Sequence, residues 1–369
     1  MRGKNKLYRC IENFILLDMY NKQISSLLLF FFVACFLIAE SQTTIKKPNI
    51  ILIYTDDLGY GDVSCYGATA VQTPNVDKLA AGGVRFTDAH CTAATCTPSR
   101  YSLLTGEYAF RNKAAILPGD APLLFKPGTS TVATMLQQNG YATGVVGKWH
   151  LGLGNGTINW NGTIAPGPEA IGFAYSFLIP ATTDRVPTVY VENGKVPNLD
   201  VNDPIRVSYS DMIGDEPTGL SHPQLLKQKA DTQHSNTIVN GISRIGYMSG
   251  GKNALWKDED FPNVFSEKAK SFITQQKDKP FFLFFSFHDI HVPRVPNEQF
   301  AGKSAMGPRG DAIMQMDWTT KRVLEHLKEL NLTENTIVIF TSDNGGAHYV
   351  GLDGLNSPYR GWKATFFEG

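Results

Sequence analysis

Two short runs carry side chains that could work together: Asp56-Asp57 and, forty residues on, Cys96-Thr97-Pro98-Ser99-Arg100. A Cys followed two residues later by Pro and four later by Arg is an odd arrangement for a zinc knuckle or a disulfide framework. Further polar clusters lie at Lys148-Trp149-His150, at His288 to His291, and at Asp343-Asn344. Asp56, Asp57, Asp343 and Asn344 offer only hard oxygen donors. Three carboxylates and an amide suit Ca²⁺ or Mg²⁺ better than Zn²⁺. The bland alternative is that Asp56-Asp57 caps the next element and Asp343-Asn344 forms an Asx turn.

What unites these clusters is position. From Asn49 onward, short apolar runs alternate with amphipathic stretches, which reads as α/β with a largely parallel sheet and helices on both faces. Strands are expected at Asn49–Tyr54, Tyr141–Val146, Phe281–Phe287 and Thr336–Phe340. Helices are expected from Thr73-Pro74 to Gly82-Gly83, and over Ser99–Thr105, Ser130–Asn139, Val264–Gln276 and Asp311–Leu330. Asp56-Asp57, Lys148–His150, His288–His291 and Asp343-Asn344 then each follow a strand. Carboxyl ends of parallel strands share one edge, and sites form there. Residues 151–262 differ, being rich in Gly, Pro, Asn and Thr, and read as a loop-rich insertion over the substrate side. This stretch holds the sequons Asn155-Gly156-Thr157 and Asn161-Gly162-Thr163, which matter only in a eukaryotic secretory host.

The pattern Cys96-x-Pro98-x-Arg100 resembles the signature of the type I, formylglycine-dependent sulfatases, the arylsulfatase-like branch of the alkaline phosphatase superfamily. The flanks match too: Asn49–Asp62 before it and Leu103-Leu104-Thr105-Gly106 after it. The resemblance implies a sulfatase N-terminal catalytic domain over residues 46–369. It also implies that the family's smaller C-terminal subdomain is missing here. On this reading the enzyme is a sulfuric ester hydrolase that cleaves R–O–SO₃⁻ through a sulfo-enzyme intermediate. Cys96 becomes Cα-formylglycine, made by a formylglycine-generating enzyme. The metal is Ca²⁺ rather than Mg²⁺, held by Asp56, Asp57, Asp343, Asn344 and residue 96.

The family roles carry over residue by residue. Arg100 holds the hydrated aldehyde, and Lys148 and Lys363, the latter in Gly361-Trp362-Lys363-Ala364-Thr365, clamp the sulfate. The helix starting near Ser99 turns its amides toward the same place. His150 is the base that ejects sulfate. His291, in His291-Val292-Pro293, matches the family's acid before x-Pro, whereas His288 is left to contact substrate or support the site. Thr182 matches a substrate-contacting hydroxyl. The other histidines, including His90, His326 and His348, read as structural or exposed. Two alternatives stand beside this: a phosphomonoester or phosphonate ester hydrolase on the same fold, and a silent binder of sulfated glycans. Asn344 after Asp343, where the two-metal phosphatases place a His, favours one metal.

Composition sets outer bounds. Lys plus Arg and Asp plus Glu are both 34 in 369 residues, which argues against nucleic acid or an anionic surface as a bulk partner. The expected partner is a sulfated small molecule or glycan. The apolar run Leu27–Ala39 follows Lys22 and the basic residues Arg2, Lys4, Lys6 and Arg9. It is shorter than the roughly 20 residues of a spanning helix, and Ala39-Glu40-Ser41 has cleavage-type spacing. Residues 1–41 therefore read as a signal peptide, with export and no stable membrane span. Cys65, Cys91 and Cys96 then remain. Either Cys65 and Cys91 pair, leaving Cys96 free, or both are small buried residues.

Overall fold

The computed structural model describes residues 4–39, 46–347 and 356–369. Glu40 and Ser41 of the cleavage-type site, and His348, lie outside the described residues. Residues 1–47 and 48–369 are separate compact units. In the first, Lys4–Ala39 is one α-helix, α1. Among the described residues no helix is long and apolar enough to cross a membrane.

The second unit is built on a six-stranded sheet. Its strands are β1 (Asn49–Thr55), β2 (Ala142–Lys148), β3 (Tyr175–Ile179), β4 (Val191–Glu192), β9 (Phe281–Ser286) and β10 (Thr336–Ser342), ordered β10-β1-β9-β2-β3-β4. The first five in that order run parallel, and β4 pairs antiparallel with β3. Strand sequences such as Asn49-Ile-Ile-Leu-Ile-Tyr-Thr55 and Phe281-Phe-Leu-Phe-Phe-Ser286 are apolar on both faces because both faces are covered. On one face, α2 (Pro74–Ala81), α5 (Phe261–Gln276) and α6 (Pro308–Glu329) pack with Ile51, Ile53, Leu283 and Phe285. On the other, α3 (Cys96–Thr105) and α4 (Val132–Gln138) share a core with Leu52, Tyr54, Phe282 and Phe284. Small antiparallel pairs, β5 (Arg206–Ser208) with β8 (Tyr247–Ser249) and β6 (Ile238–Val239) with β7 (Ile242–Ser243), lie in the loop-rich stretch.

Three expectations need correction. The helix expected from Ser99 begins at Cys96, with Thr95 as N-cap. Pro98 sits in its first turn, where a missing N–H costs nothing, so the proline does not delay the start. Residues 151–262 are not all overlay, because β3 and β4 belong to the main sheet. Cys65, Cys91 and Cys96 are all free, with Cys65 half-buried and Cys91 exposed, so neither the disulfide nor the buried pair holds.

Candidate active site

The five parallel strands deliver the site from their carboxyl ends. β1 runs straight into Asp56 and Asp57, both fully buried. Asp57 has φ 59°, a left-handed conformation that an Asp adopts at some cost. The turn is tied to the loop after β9 by backbone bonds from Asp56 N to Asp289 O (2.9 Å) and from Ile290 N to Asp56 O (2.7 Å). From the end of β10, Asp343 Oδ1 accepts from Asp57 N at 3.2 Å, and Asn344 Nδ2 donates to Asp57 Oδ1 at 2.8 Å. Cys96, in the first turn of α3 and 2% exposed, brings its Sγ to 3.5 Å from Asp56 Oδ1. Ligand atoms of Asp56, Asp57, Cys96 and His291 all lie within 4.8 Å of one another.

Cations surround these carboxylates. Arg100 is fully buried. Its Nε and Nη2 donate to Asp343 Oδ2 at 3.0 and 2.8 Å, and Nη1 reaches Lys148 O and Ser286 Oγ. Lys148, the last residue of β2, is fully buried and bonds Asp56 Oδ2. Lys363 Nζ lies 2.7 and 2.8 Å from the two Asp57 oxygens. Burial opposes the charge on Asp57, yet His291, Lys363 and Lys148 overcome it and hold the carboxyl well below its usual range. Asp343 goes the other way, pushed up to about 6 by burial and by Asp56. Burial, with Asp56 and Asp343 close by, pushes the Cys96 thiol up to about 12.

The histidines differ in what holds them. His150 has φ 55° and its Nε2 lies 2.9 Å from Leu117 O. A carbonyl only accepts, so that nitrogen carries the proton and Nδ1 bears the lone pair. Nδ1 is buried and has no hydrogen-bond partner among the described residues. Burial and Lys148 hold the ring well below its ordinary value, hence neutral. In His291, Nδ1 donates to Val292 O at 2.6 Å and Nε2 lies 3.8 Å from Asp57 Oδ2. Burial and Lys363 lower this ring to about 3. His288 instead packs edge-on against Phe261, ring centres 4.4 Å apart, and near Asp289.

Thr182 follows β3, donating to Asp184 Oδ1 and accepting from Arg185, which leaves its hydroxyl one acceptor lone pair. It belongs to a cluster that the sequence did not reveal. Arg185 Nη1 pairs with Asp184 at 2.9 Å, and His234 Nε2 lies 3.1 Å from Asp184 Oδ2 while its Nδ1 contacts Asp231 at 2.9 Å. Burial opposes both charges, but Arg185 and His234 hold Asp184 well below its usual range, and Asp184 raises His234. Asp184 and His234 are fifty residues apart, without motif spacing. The one available signal was position just past a strand, and β3 had not been recognised.

The residues present fit a hard dication. Asp343 and Asn344 are tied to Asp57, which clusters with Asp56, and the buried Asn344 Oδ1 has no hydrogen-bond partner among the described residues. An orphaned buried carbonyl beside buried carboxylates is compatible with a site for a cation that takes oxygen ligands.

Comparison with known proteins agrees with this geometry. The sulfatase family profile matches residues 48–366. An N-acetylgalactosamine-6-O-sulfatase of Bacteroides thetaiotaomicron is 54% identical over 335 residues, covering 88% of this chain and 66% of its own length. Human arylsulfatase A is 34% identical, with 90% of this chain and 59% of its own length covered. The chain thus spans about three fifths to two thirds of these relatives. A solved structure from a glycosaminoglycan-metabolism locus of Bacteroides thetaiotaomicron superposes with TM-score 0.85 at 53% identity, over 88% of this chain and 70% of that one. With a buried Cys-x-Pro-x-Arg helix set against the strand-end carboxylates, and a profile match across nearly all of the second unit, this chain belongs to the sulfatase family.

Proposed function

We propose that this protein hydrolyses a sulfate monoester on a sugar, with Cys96 converted to Cα-formylglycine by a formylglycine-generating enzyme. The observation that carries this is the setting of Cys96. It lies at the positive end of α3, buried, beside Asp56, with Lys148 close by. A thiol pushed up to about 12 is neither a ready nucleophile nor a match for a hard cation. An oxygen function at the same carbon answers both needs. A calcium ion, with magnesium as the alternative, held by Asp56, Asp57, Asp343 and Asn344, would supply Lewis-acid stabilisation of an oxygen nucleophile there.

The chain's own residues do the rest. Lys148 and Lys363 bring two ammonium groups to the carboxylates and hold the sulfate oxygens. Arg100 fixes Asp343 and the end of β2 together. His150 is neutral with Nδ1 open, so it accepts the proton whose removal from residue 96 expels sulfate. His291 protonates the leaving oxygen from Nε2, helped by Lys363. The incoming sulfate adds negative charge that, with Asp57, favours the imidazolium. Thr182, Asp184, Arg185 and His234 are the groups proposed to bind sugar hydroxyls.

The name of the 54%-identical relative supports 6-O-sulfated N-acetylgalactosamine as the substrate class. The basic residues ahead of Leu27–Ala39 support export. The test is sulfate release from that sugar by protein whose aldehyde at residue 96 has been verified by peptide mass spectrometry. Cys96→Ala should leave only background release. Equal activity in that variant would sink the proposal.

A further inference from the structure

A cleft of about 430 Å³ opens between the 156–161 loop and β5, lined by Asp120, Ile158, Asn159, Trp160, Arg206 and their neighbours. None of these residues belongs to the site described above. Its floor is rigid, because Trp160 is buried and the Asn161 side chain bonds the Ile205 backbone in both directions, at 2.9 and 2.8 Å. Its polar groups are open. Arg206 is exposed and Asp120 half-buried, and neither has an ion-pair partner among the described residues.

One hydroxyl ties a segment of the cleft wall to a segment that leads out of the active site. Tyr209 Oη accepts from Gly119 N at 2.8 Å and donates to Val186 O at 2.5 Å. Gly119 precedes Asp120 of the cleft, and Val186 follows Arg185 of the site. A built Cβ on Gly119 would fall 2.1 Å from Val186 O, so the two segments touch closely at this point. Two residues before Gly119, Leu117 O holds the ring of His150.

We propose that this cleft binds the neighbouring sugar of a sulfated oligosaccharide, Arg206 taking an anionic group such as a uronate carboxylate and Asp120 accepting a hydroxyl. This rests on the sulfated-sugar reading of the active site. One unit in the site and the next in the cleft would let the enzyme distinguish a chain end from a free monosaccharide. Arg206 makes none of the contacts found around Cys96, His150 and His291, so it should act through affinity alone.

Calorimetric binding and turnover are measured side by side with a 6-sulfated N-acetylhexosamine and with the same sugar linked to a uronic acid. The disaccharide should bind more tightly. Arg206→Ala should weaken it about tenfold, the scale of one charge-assisted hydrogen bond, and leave monosaccharide binding unchanged. Asp120→Asn should give a smaller loss in the same direction. Equal affinity for the two ligands, or equal losses on both in Arg206→Ala, would overturn the subsite. A neutral linked sugar that gains as much as the acidic one would overturn the role of Arg206. The affinity ratio decides the subsite and turnover decides the sulfatase proposal, so the two fail separately.

Discussion

His291 and His288 stand three residues apart after β9, yet their surroundings give them different work. His291 faces Asp57 with one nitrogen and has the other tied to its own loop, whereas His288 is wedged against Phe261. If His291 is the acid, its loss should hurt most where the leaving alcohol needs a proton. General-acid help is worth about 10²–10⁴-fold. His291→Ala should therefore lose roughly that much more on an alkyl sulfate than on nitrophenyl sulfate, whose phenolate leaves unaided. His288→Ala should affect both substrates similarly and mildly. A leaving-group dependence that follows His288 would reassign the acid without touching the sulfatase proposal. The Cys, the carboxylates and the two lysines were legible because short motifs fix them. Asp184, Arg185 and His234 were not, since only folding brings them together.

At the level of elements, one glycine decides how closely β2 and β9 approach. Gly147 has φ 110°, and a built Cβ would fall 1.8 Å from Ser286 O. That obstacle is backbone, so it yields only if the strands part, which would shift Lys148 and the Ser286 support of Arg100. Gly147→Ala should cost more than about 3 kcal/mol in denaturant unfolding. Gly144→Ala meets only the ring of Phe272, at 2.6 to 2.9 Å, and should cost less. Similar costs at both positions would refute the backbone argument. β1 and β9 could be read from the chain because burial on both faces leaves unbroken apolar runs, while the edge strand β10 was legible from Ile337–Phe340 although Ile337 and Ile339 are exposed. β3 could not, since its five residues sit among loops. The true start of α3 was hidden by Pro98, a residue that fits a first turn as well as it ends a helix.

Across the whole of the second unit, three buried carboxylates are set against Arg100, Lys148 and Lys363 between two cores that cannot easily rearrange. A cation that binds this folded arrangement and not the unfolded chain stabilises it by RT ln(1 + [L]/Kd), about 2.7 kcal/mol at a hundredfold excess over Kd. Calcium should raise the melting temperature by a few degrees, and a chelator should reverse the gain. Asn344→Ala should blunt the response while leaving the fold intact, because it removes one neutral ligand. A melting curve indifferent to calcium at every concentration would count against the site. Elemental analysis finding two zinc ions would point instead to phosphatase-type chemistry.

Cys96 is 2% exposed, closed in by Asp56 and by the turn of its own helix. On the proposed function a catalyst must reach this side chain to oxidise it, and the folded protein closes it off inside the first turn of α3. If Cys96 is converted as proposed, maturation is a race against folding, won only while the nascent chain is still open. The proportion of aldehyde in a preparation then reports how long each molecule lingered before closing. Slowing the closure, by a low temperature or by a mutation that delays sheet assembly, should enrich the aldehyde in the mass spectrum of co-expressed protein. Adding the same oxidising enzyme to purified, folded Cys96 protein should change nothing, whereas a peptide spanning Ala94–Thr105 should be converted. Conversion of the folded protein at the peptide's rate would mean that α3 opens far more readily than its burial implies.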